Sequence, residues 1–200
     1  MKEIQPFLDH ASSLHNHLCP RQVLGIRIGM YAAELLQLEL PQTDKRLFTF
    51  VETDGCFADG VAVATGCWLG HRTMRLMDYG KVAAAFYDTV SERAFRIWPH
   101  PDARRTAICF APDAQDHWHS QLVAYQIMPT SVLLCAAEIH LNLSMQALIS
   151  RPGIRTTCAV CGEEILNERQ VTVNGQILCQ PCADGGYYQT VESMITGHHA

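Results

Sequence analysis

The chain of 200 residues contains no run approaching the roughly 18–20 consecutive apolar residues that span a bilayer. Its opening, Met1-Lys-Glu-Ile-Gln-Pro6, lacks the basic start and apolar stretch of a secretory signal. A cytoplasmic protein with no membrane partner is the expectation. Positive charge is also scarce. Fifteen Lys and Arg stand against 20 Asp and Glu, a net charge of −5, and this argues against a dedicated nucleic-acid binder, because phosphate contacts need clustered cations. Internal repeats and low-complexity segments are missing too. With 48% apolar and only 18% charged residues, the chain is core-forming rather than disordered. Cysteine, by contrast, is abundant, at nine residues. In a reducing compartment these are metal ligands or reactive thiols, and an odd total does not suit a fully paired disulfide scaffold.

The pattern along the chain mixes helices and strands. Ile4 to Ser13 reads as a short amphipathic helix, and Pro20 sits where a helix favours its first residue. The helix it opens carries Leu24, Ile28, Tyr31, Leu35 and Leu38 on one buried face, with Gly25 and Gly29 on a neighbouring stripe that admits another backbone. Leu47 to Val51 is a buried strand, Phe57 to Thr65 a helix closed by Gly66, and Lys81 to Tyr87 and Ala94 to Trp98 are strands. Asp102 caps a short helix and Asp113 a longer one ending near Ile127, and Ser131 to Leu141 reads as a last strand. Without strict βαβ repetition, an α+β sheet domain over residues 1–150 follows. Arg151 to Thr157 reads as a linker, so residues 151–200 form a second module.

That module carries Cys158-Ala-Val-Cys161 and Cys179-Gln-Pro-Cys182. Zinc takes four ligands at tetrahedral corners, and a two-residue spacer lets each knuckle present both sulfurs to one ion. Gly162 supplies a tight turn after the first pair. Gln170 to Leu178 is a hairpin signal with Asn174-Gly175 at its tip. The second knuckle opens into a terminal helix, the order of a treble clef. Two redox dithiols would leave both the spacing and the hairpin unexplained. A fragment this small buries too little apolar surface to stand alone, so the zinc is expected to be structural. From Cys158 onward there is one Arg against Glu163, Glu164, Glu168, Asp184 and Glu192, a balance suited to docking rather than to gripping nucleic acid.

A second constellation is His15-Asn-His17-Leu-Cys19-Pro20-Arg21, two imidazoles and a thiol just before a helix N-terminus. Borderline-soft transition metals accept such a mixture, although capping histidines beside a buried Cys19 would give the same sequence. Cys56 lies in a strand-to-helix turn, where a helix terminus lowers a thiol pKa. Cys67 lies beyond that helix and reaches the same place only if the chain doubles back. Lys81 and Arg27 are cations able to hold an anion nearby, or ordinary surface charges. Cys109 and Cys135 sit among apolar residues and read as core. His117 and His119 point apart on a helix and make a poor metal pair.

Taken together, His15-x-His17-x-Cys19-Pro20, Leu24-Gly25-x-Arg27, Cys56 with Asp59, Thr65-Gly66-Cys67-x-Leu69-Gly70 and Asp78-Tyr-Gly-Lys81 resemble the E-subunit family of formylmethanofuran dehydrogenase over most of residues 10–90. The four-cysteine module resembles the treble-clef finger that some members append. It also resembles the finger of transcription factors that enter the RNA polymerase channel, but the long coiled coil those factors need is missing. The family resemblance implies a thioredoxin-like α+β core, a mixed sheet flanked by helices. It also implies a homodimer with a metal pocket built from the His/Cys turn and the Cys56 segment.

On that basis the chain reads as a metal-binding accessory protein serving a molybdenum- or tungsten-dependent one-carbon oxidoreductase. His17, Cys19 and Cys56, with His15 and Cys67 in reserve, would hold a second transition metal (zinc, nickel or iron) besides the structural zinc. Two alternatives stand beside it. One is an enzyme using Cys56 as a thiol with His17 as its base; the other is a non-catalytic zinc-finger docking protein.

Overall fold

A computed structural model describes residues 3–15, 17–149 and 151–189. The chain divides into two compact units, Met1–Leu141 and Asn142–Ala200.

The first unit opens with α1 (Gln5–His15) and α2 (Pro20–Leu36). Pro20 is the first residue of α2, and Cys19 caps it in extended conformation. The Gln22 side chain closes the cap: its Oε1 accepts the Cys19 N–H at 2.8 Å, and its Nε2 donates to the Ala11 carbonyl at 3.0 Å. Gln22 is fully buried, so one amide ties the end of α1 to the start of α2.

Strand β1 (Leu47–Val51) is buried along its whole length, and α3 (Cys56–Thr65) follows it, ending on a left-handed Gly66. Helices α2 and α3 run side by side without room for side chains at their crossing. A Cβ on Gly25 would stand 2.3 Å from the Phe57 carbonyl oxygen, and one on Gly60 would stand 2.2 Å from that of Gln22. Gly25 of the sequence stripe, with Gly60, thus makes a backbone-to-backbone contact, while Gly29 faces the Ala64 and Thr65 side chains, and the crossing places the N-termini of both helices at one end.

Next come β2 (Met74–Leu76), β3 (Ala84–Asp88), β4 (Ala94–Pro99), α4 (Ala103–Phe110), α5 (His117–Ile127), α6 (Thr130–Leu133) and β5 (Leu134–Ile139). The sheet order is β2-β1-β3-β4-β5. β1 and β2 are parallel, with Thr49 opposite Met74, and the other pairs are antiparallel, with Val51 opposite Ala84, Phe86 opposite Phe95 and Trp98 opposite Cys135. This is a mixed five-stranded sheet flanked by helices, in an α+β unit. Val23, Ile26, Ile28, Phe57, Val61, Leu47, Val51, Phe86 and Ile97 form its core, together with Tyr125, Met128 and Leu133.

Several expectations are corrected. β2, only three residues long, carries no sequence signal of its own. The cap of α5 is Asp116, which accepts the His119 N–H at 2.8 Å, rather than Asp113. The stretch expected as one strand from Ser131 begins as the helical turn α6, because Pro129 presets its first turn and the Leu133 N–H bonds to the Pro129 carbonyl.

The second unit contains α7 (Met145–Leu148), the hairpin β6 (Arg155–Thr157) and β7 (Glu164–Leu166), the hairpin β8 (Val171–Val173) and β9 (Gln176–Leu178), and α8 (Gln180–Asp184). The end of the segment expected as linker is therefore strand β6, with Thr157 opposite Glu164. Asn174 and Gly175 both have positive φ, 51° and 80°, the backbone that a two-residue hairpin turn requires.

Candidate metal centres

Each cysteine knuckle sits where a hairpin or helix end presents free N–H groups. Cys158 leaves β6 and is held by its N–H to the Glu163 carbonyl, while the Gly162 N–H closes the turn onto the Cys158 carbonyl. The second knuckle follows β9, where Cys179 caps α8 and the Cys182 N–H bonds back to the Cys179 carbonyl. The Ala159 N–H to the Ile177 carbonyl, 2.9 Å, joins the two hairpins, and the Cys179 N–H points at the Cys158 sulfur at 3.3 Å. All four Sγ atoms lie within 4.8 Å of one another.

That spacing fits a metal. A tetrahedron with Zn–S bonds of about 2.3 Å has an edge of about 3.8 Å, and Cys161 Sγ to Cys179 Sγ is 3.8 Å. The acid–base character fits as well. N–H donors from Cys161 and Cys179 pull the Cys158 thiol down to about 6, whereas hydrogen bonding to the Cys179 thiol, with burial, pushes Cys182 up to about 12. Four thiols this close cannot all ionise without a cation to share. A divalent soft-accepting ion removes that conflict, and these four residues are the ones that would hold it.

In the first unit, the close crossing of α2 and α3 brings the Cys19 and Cys56 thiols close enough to influence each other, although 37 positions separate them in sequence. Cys19 is buried and Cys56 half-buried. The lowered thiol expected at the start of α3 is not what forms. Burial pushes the Cys56 thiol up, the neighbouring Cys19 thiol adds to this, and the backbone N–H contribution does not overcome them. Asp59 stands one turn into α3 and adds a further rise. His17 lies exposed in the turn before Cys19. The side chain of His15 lies outside the described residues, as do Asn16, Glu192, His198 and His199. Among the described residues, the four-cysteine group is the one cluster of three or more His, Cys, Asp or Glu side chains close enough for a metal. In this structure the core contributes the Cys19–Cys56 pair.

Cys67 stands apart from that pair. It lies beyond the far end of the ten-residue α3, about 15 Å along the helix axis, and is 1% exposed with its thiol donating to the Leu47 carbonyl at 3.2 Å. Arg27 is a cross-link rather than an anion ligand. Its guanidinium donates to the carbonyls of Tyr125 and Met128 at 2.7 Å each, capping the C-terminal end of α5. Cys109 and Cys135 are corrected as well: Cys109 is exposed on α4, and Cys135 half-buried on the edge strand β5. His119 is committed to Asp116 by a 3.0 Å contact from Nδ1. One polar feature that motif reading missed is the bidentate pair of Arg96 with Glu52, at 2.6 and 2.7 Å. Its signal was a carboxylate directly after the apolar run of β1 and a lone Arg inside β4.

Residues 14–130 match the family described as FmdE, molybdenum formylmethanofuran dehydrogenase operon. The chain belongs to the FmdE family. In this FmdE chain, residues 153–188 further match the prokaryotic dksA/traR C4-type zinc finger, so the four-cysteine cluster is a zinc-binding site. A curated relative from Archaeoglobus fulgidus, described as a probable S-adenosyl-L-methionine-binding protein, is 33% identical over 91 residues. That alignment takes in 44% of this chain and spans a quarter of the relative's length. The crystal structure of a tungsten formylmethanofuran dehydrogenase FmdE-like protein from Syntrophus aciditrophicus superposes with a TM-score of 0.60 at 16% identity. It covers 92% of this chain and 94% of that one, a likeness of fold. No helix among the described residues is long and apolar enough to cross a membrane.

Proposed function

We propose that this FmdE chain is an accessory protein of a molybdenum- or tungsten-dependent one-carbon oxidoreductase, and that its core holds a second transition metal at Cys19 and Cys56, with His17 as third ligand. The observation that carries the metal reading is the meeting of the two thiols at the shared N-terminal end of α2 and α3. A Cys56 thiol whose proton is hard to remove is idle as a free nucleophile at neutral pH, yet a soft cation displaces that proton. His17 is two residues from Cys19, close enough along the chain to turn inward when an ion is present. A metal bound there, with an open position, would supply Lewis acidity or lower the pKa of a bound water. The family match supports the oxidoreductase association.

The reading also takes residues 1–150 as a thioredoxin-like core that pairs as a homodimer in the cytoplasm. It takes residues 151–200 as a treble-clef appendage for docking. Elemental analysis tests the metal part. The wild-type chain is expected to carry about two metals and the Cys19→Ser, Cys56→Ser double variant about one. A single zinc in both proteins would overturn it. The competing reading, Cys56 as a nucleophile with His17 as base, requires alkylation of Cys56 to titrate below about 8.5, against the upward push that the structure gives this thiol.

A further inference from the structure

The Cys19–Cys56 pair does not account for a cavity of about 450 Å³ at the same end of the sheet. Lys81, Arg96, Trp98, His100, Arg104 and Tyr125 line it, and no Asp or Glu does. In a chain where acids outnumber bases 20 to 15, that is an uneven distribution. Cations on a concave wall beside low-dielectric protein focus their field into the cavity.

The cationic groups are also held in place. The Arg96 guanidinium is fixed by two bonds from its Nε and Nη2 to Glu52 and lies over the Trp98 ring, 5.0 Å from its centroid. That pair is close to neutral, so Lys81 and Arg104 carry the net charge. Arg104 stands near the Tyr125 hydroxyl, which itself donates to the Gln121 Oε1 at 3.2 Å. The His100 Nδ1 accepts the Asp102 N–H at 3.1 Å, which leaves the proton of the neutral ring on Nε2, as a donor. The Lys81 main chain is anchored at the cavity wall, its N–H bonded to the Glu52 carbonyl at 3.1 Å, while its side chain is exposed. Buried Leu24 and Ala83 complete an apolar wall.

We propose that this cavity is a binding site for a small organic anion. Lys81 and Arg104 grip its carboxylate or phosphate oxygens, His100 donates from Nε2, and Trp98 and Leu24 cover its apolar body. The site adjoins the thiol pair through the chain: Glu52 precedes Cys56 by four residues, and Leu24 follows Cys19 by five. An anion seated there lies at the end of the sheet where the thiols meet. The site nevertheless uses none of the proposed metal ligands, so it stands or falls apart from the core metal.

The test is an amide NMR titration of the full chain with inorganic phosphate and, separately, with succinate, at ionic strength held near about 0.1 M with sodium chloride. Saturable shifts confined to residues 81–83 and 98–104 are expected. Tighter binding of phosphate identifies a phosphoryl ligand, and tighter binding of succinate a carboxylate ligand. Lys81 and Arg104 are exposed, so Lys81→Met and Arg104→Met leave the fold intact, and each should weaken binding by about tenfold. Arg105→Met is the control; Arg105 is exposed and paired with Asp102 rather than lining the cavity. Shifts that follow ionic strength alone would overturn the proposal. So would binding that survives both Lys81→Met and Arg104→Met, or that falls equally with Arg105→Met.

Discussion

In the first unit Val23, Ile26, Ile28, Phe57, Val61, Phe86 and Ile97 are all fully buried, within a cluster continuous from α1 to β5. In the second unit the buried cluster is Cys158, Ile165 and Leu178, one of them itself a ligand. The first unit holds together by excluding water from side chains and the second by ligating an ion, so the two should answer differently to the same insult. Removing zinc gives the largest contrast. Apparent binding free energies for structural zinc are about 10–16 kcal/mol near neutral pH, more than three buried residues can replace. A strong chelator, or Cys161→Ser with Cys182→Ser, should collapse the amide dispersion of residues 151–189 while the thermal midpoint of the first unit stays where it was. If the hairpins β6–β7 and β8–β9 kept their dispersion without metal, the comparison would fail at its root.

The converse insult is steric and touches the first unit alone. Gly60→Ala would drive a methyl to 2.2 Å from the Gln22 carbonyl oxygen, and the obstruction is backbone, not a flexible side-chain tip. Helices α2 and α3 would have to separate, at a cost of about 3 kcal/mol. Chemical denaturation should show that loss in the first unit, and zinc affinity should not change. Separating the helices also parts Cys19 from Cys56. A Gly60→Ala chain that kept full stability would mean the close crossing is not where the first unit is held.

A smaller effect comes from the Asp88 carboxylate. It is fully buried and accepts from the Arg46 Nε and Nη2, the Val90 and Ser91 N–H groups and the Ser91 hydroxyl. The Arg46 guanidinium foremost, then the Ser91 and Val90 donors, hold its pKa well below the usual carboxylate range. A depressed folded pKa means that the stabilisation is complete above the unfolded value near about 3.9 and is lost as pH falls from there toward the folded value. Asp88→Asn should therefore cost about 1–2 kcal/mol at neutral pH. It should also flatten the acid limb of the first unit's stability profile below about pH 4. An unchanged acid limb would show that other carboxylates govern it.

The two units were also unequally legible in the sequence. In the finger the knuckles and the β8–β9 hairpin could be read directly, because ligand spacing, Gly162 and Asn174-Gly175 are local rules, although the β6–β7 hairpin was not foreseen. In the core, local rules located β1, the glycine stripe and Pro20, but the decisive contacts lie far apart in sequence. That Arg27 caps the end of α5 depends on where Tyr125 and Met128 arrive. Cys19 meets Cys56 because Gly25 and Gly60 let two backbones touch, a consequence that spacing shows only once the crossing is known. Cys109 misled because α4 buries only Ala103 and Ala107, so even its apolar neighbour Ile108 is exposed beside it. β2 was missed because its place comes from parallel pairing with β1 rather than from its own three residues.

The smallest predicted effect returns to the finger. Glu168 accepts from the Arg151 backbone N–H at 2.9 Å and from its guanidinium at 2.6 Å, which by sight is as good a pair as Arg46 with Asp88. The difference is solvent: the Arg151 side chain is 75% exposed, whereas that of Asp88 is fully buried. Water and salt screen an exposed pair and compete for its hydrogen bonds, so geometry alone contributes little. The guanidinium does lower the Glu168 pKa, and any stabilisation it gives is present above the unfolded carboxylate value and fades as pH falls below it. Because the metal dominates this unit, Glu168→Gln should leave the rate of zinc release to a competing chelator within about twofold of wild type. Release faster by about tenfold or more would mean that this ion pair, and not the four sulfurs alone, keeps the hairpins closed around the ion, and the sharp division between a packed unit and a ligated one would have to be given up.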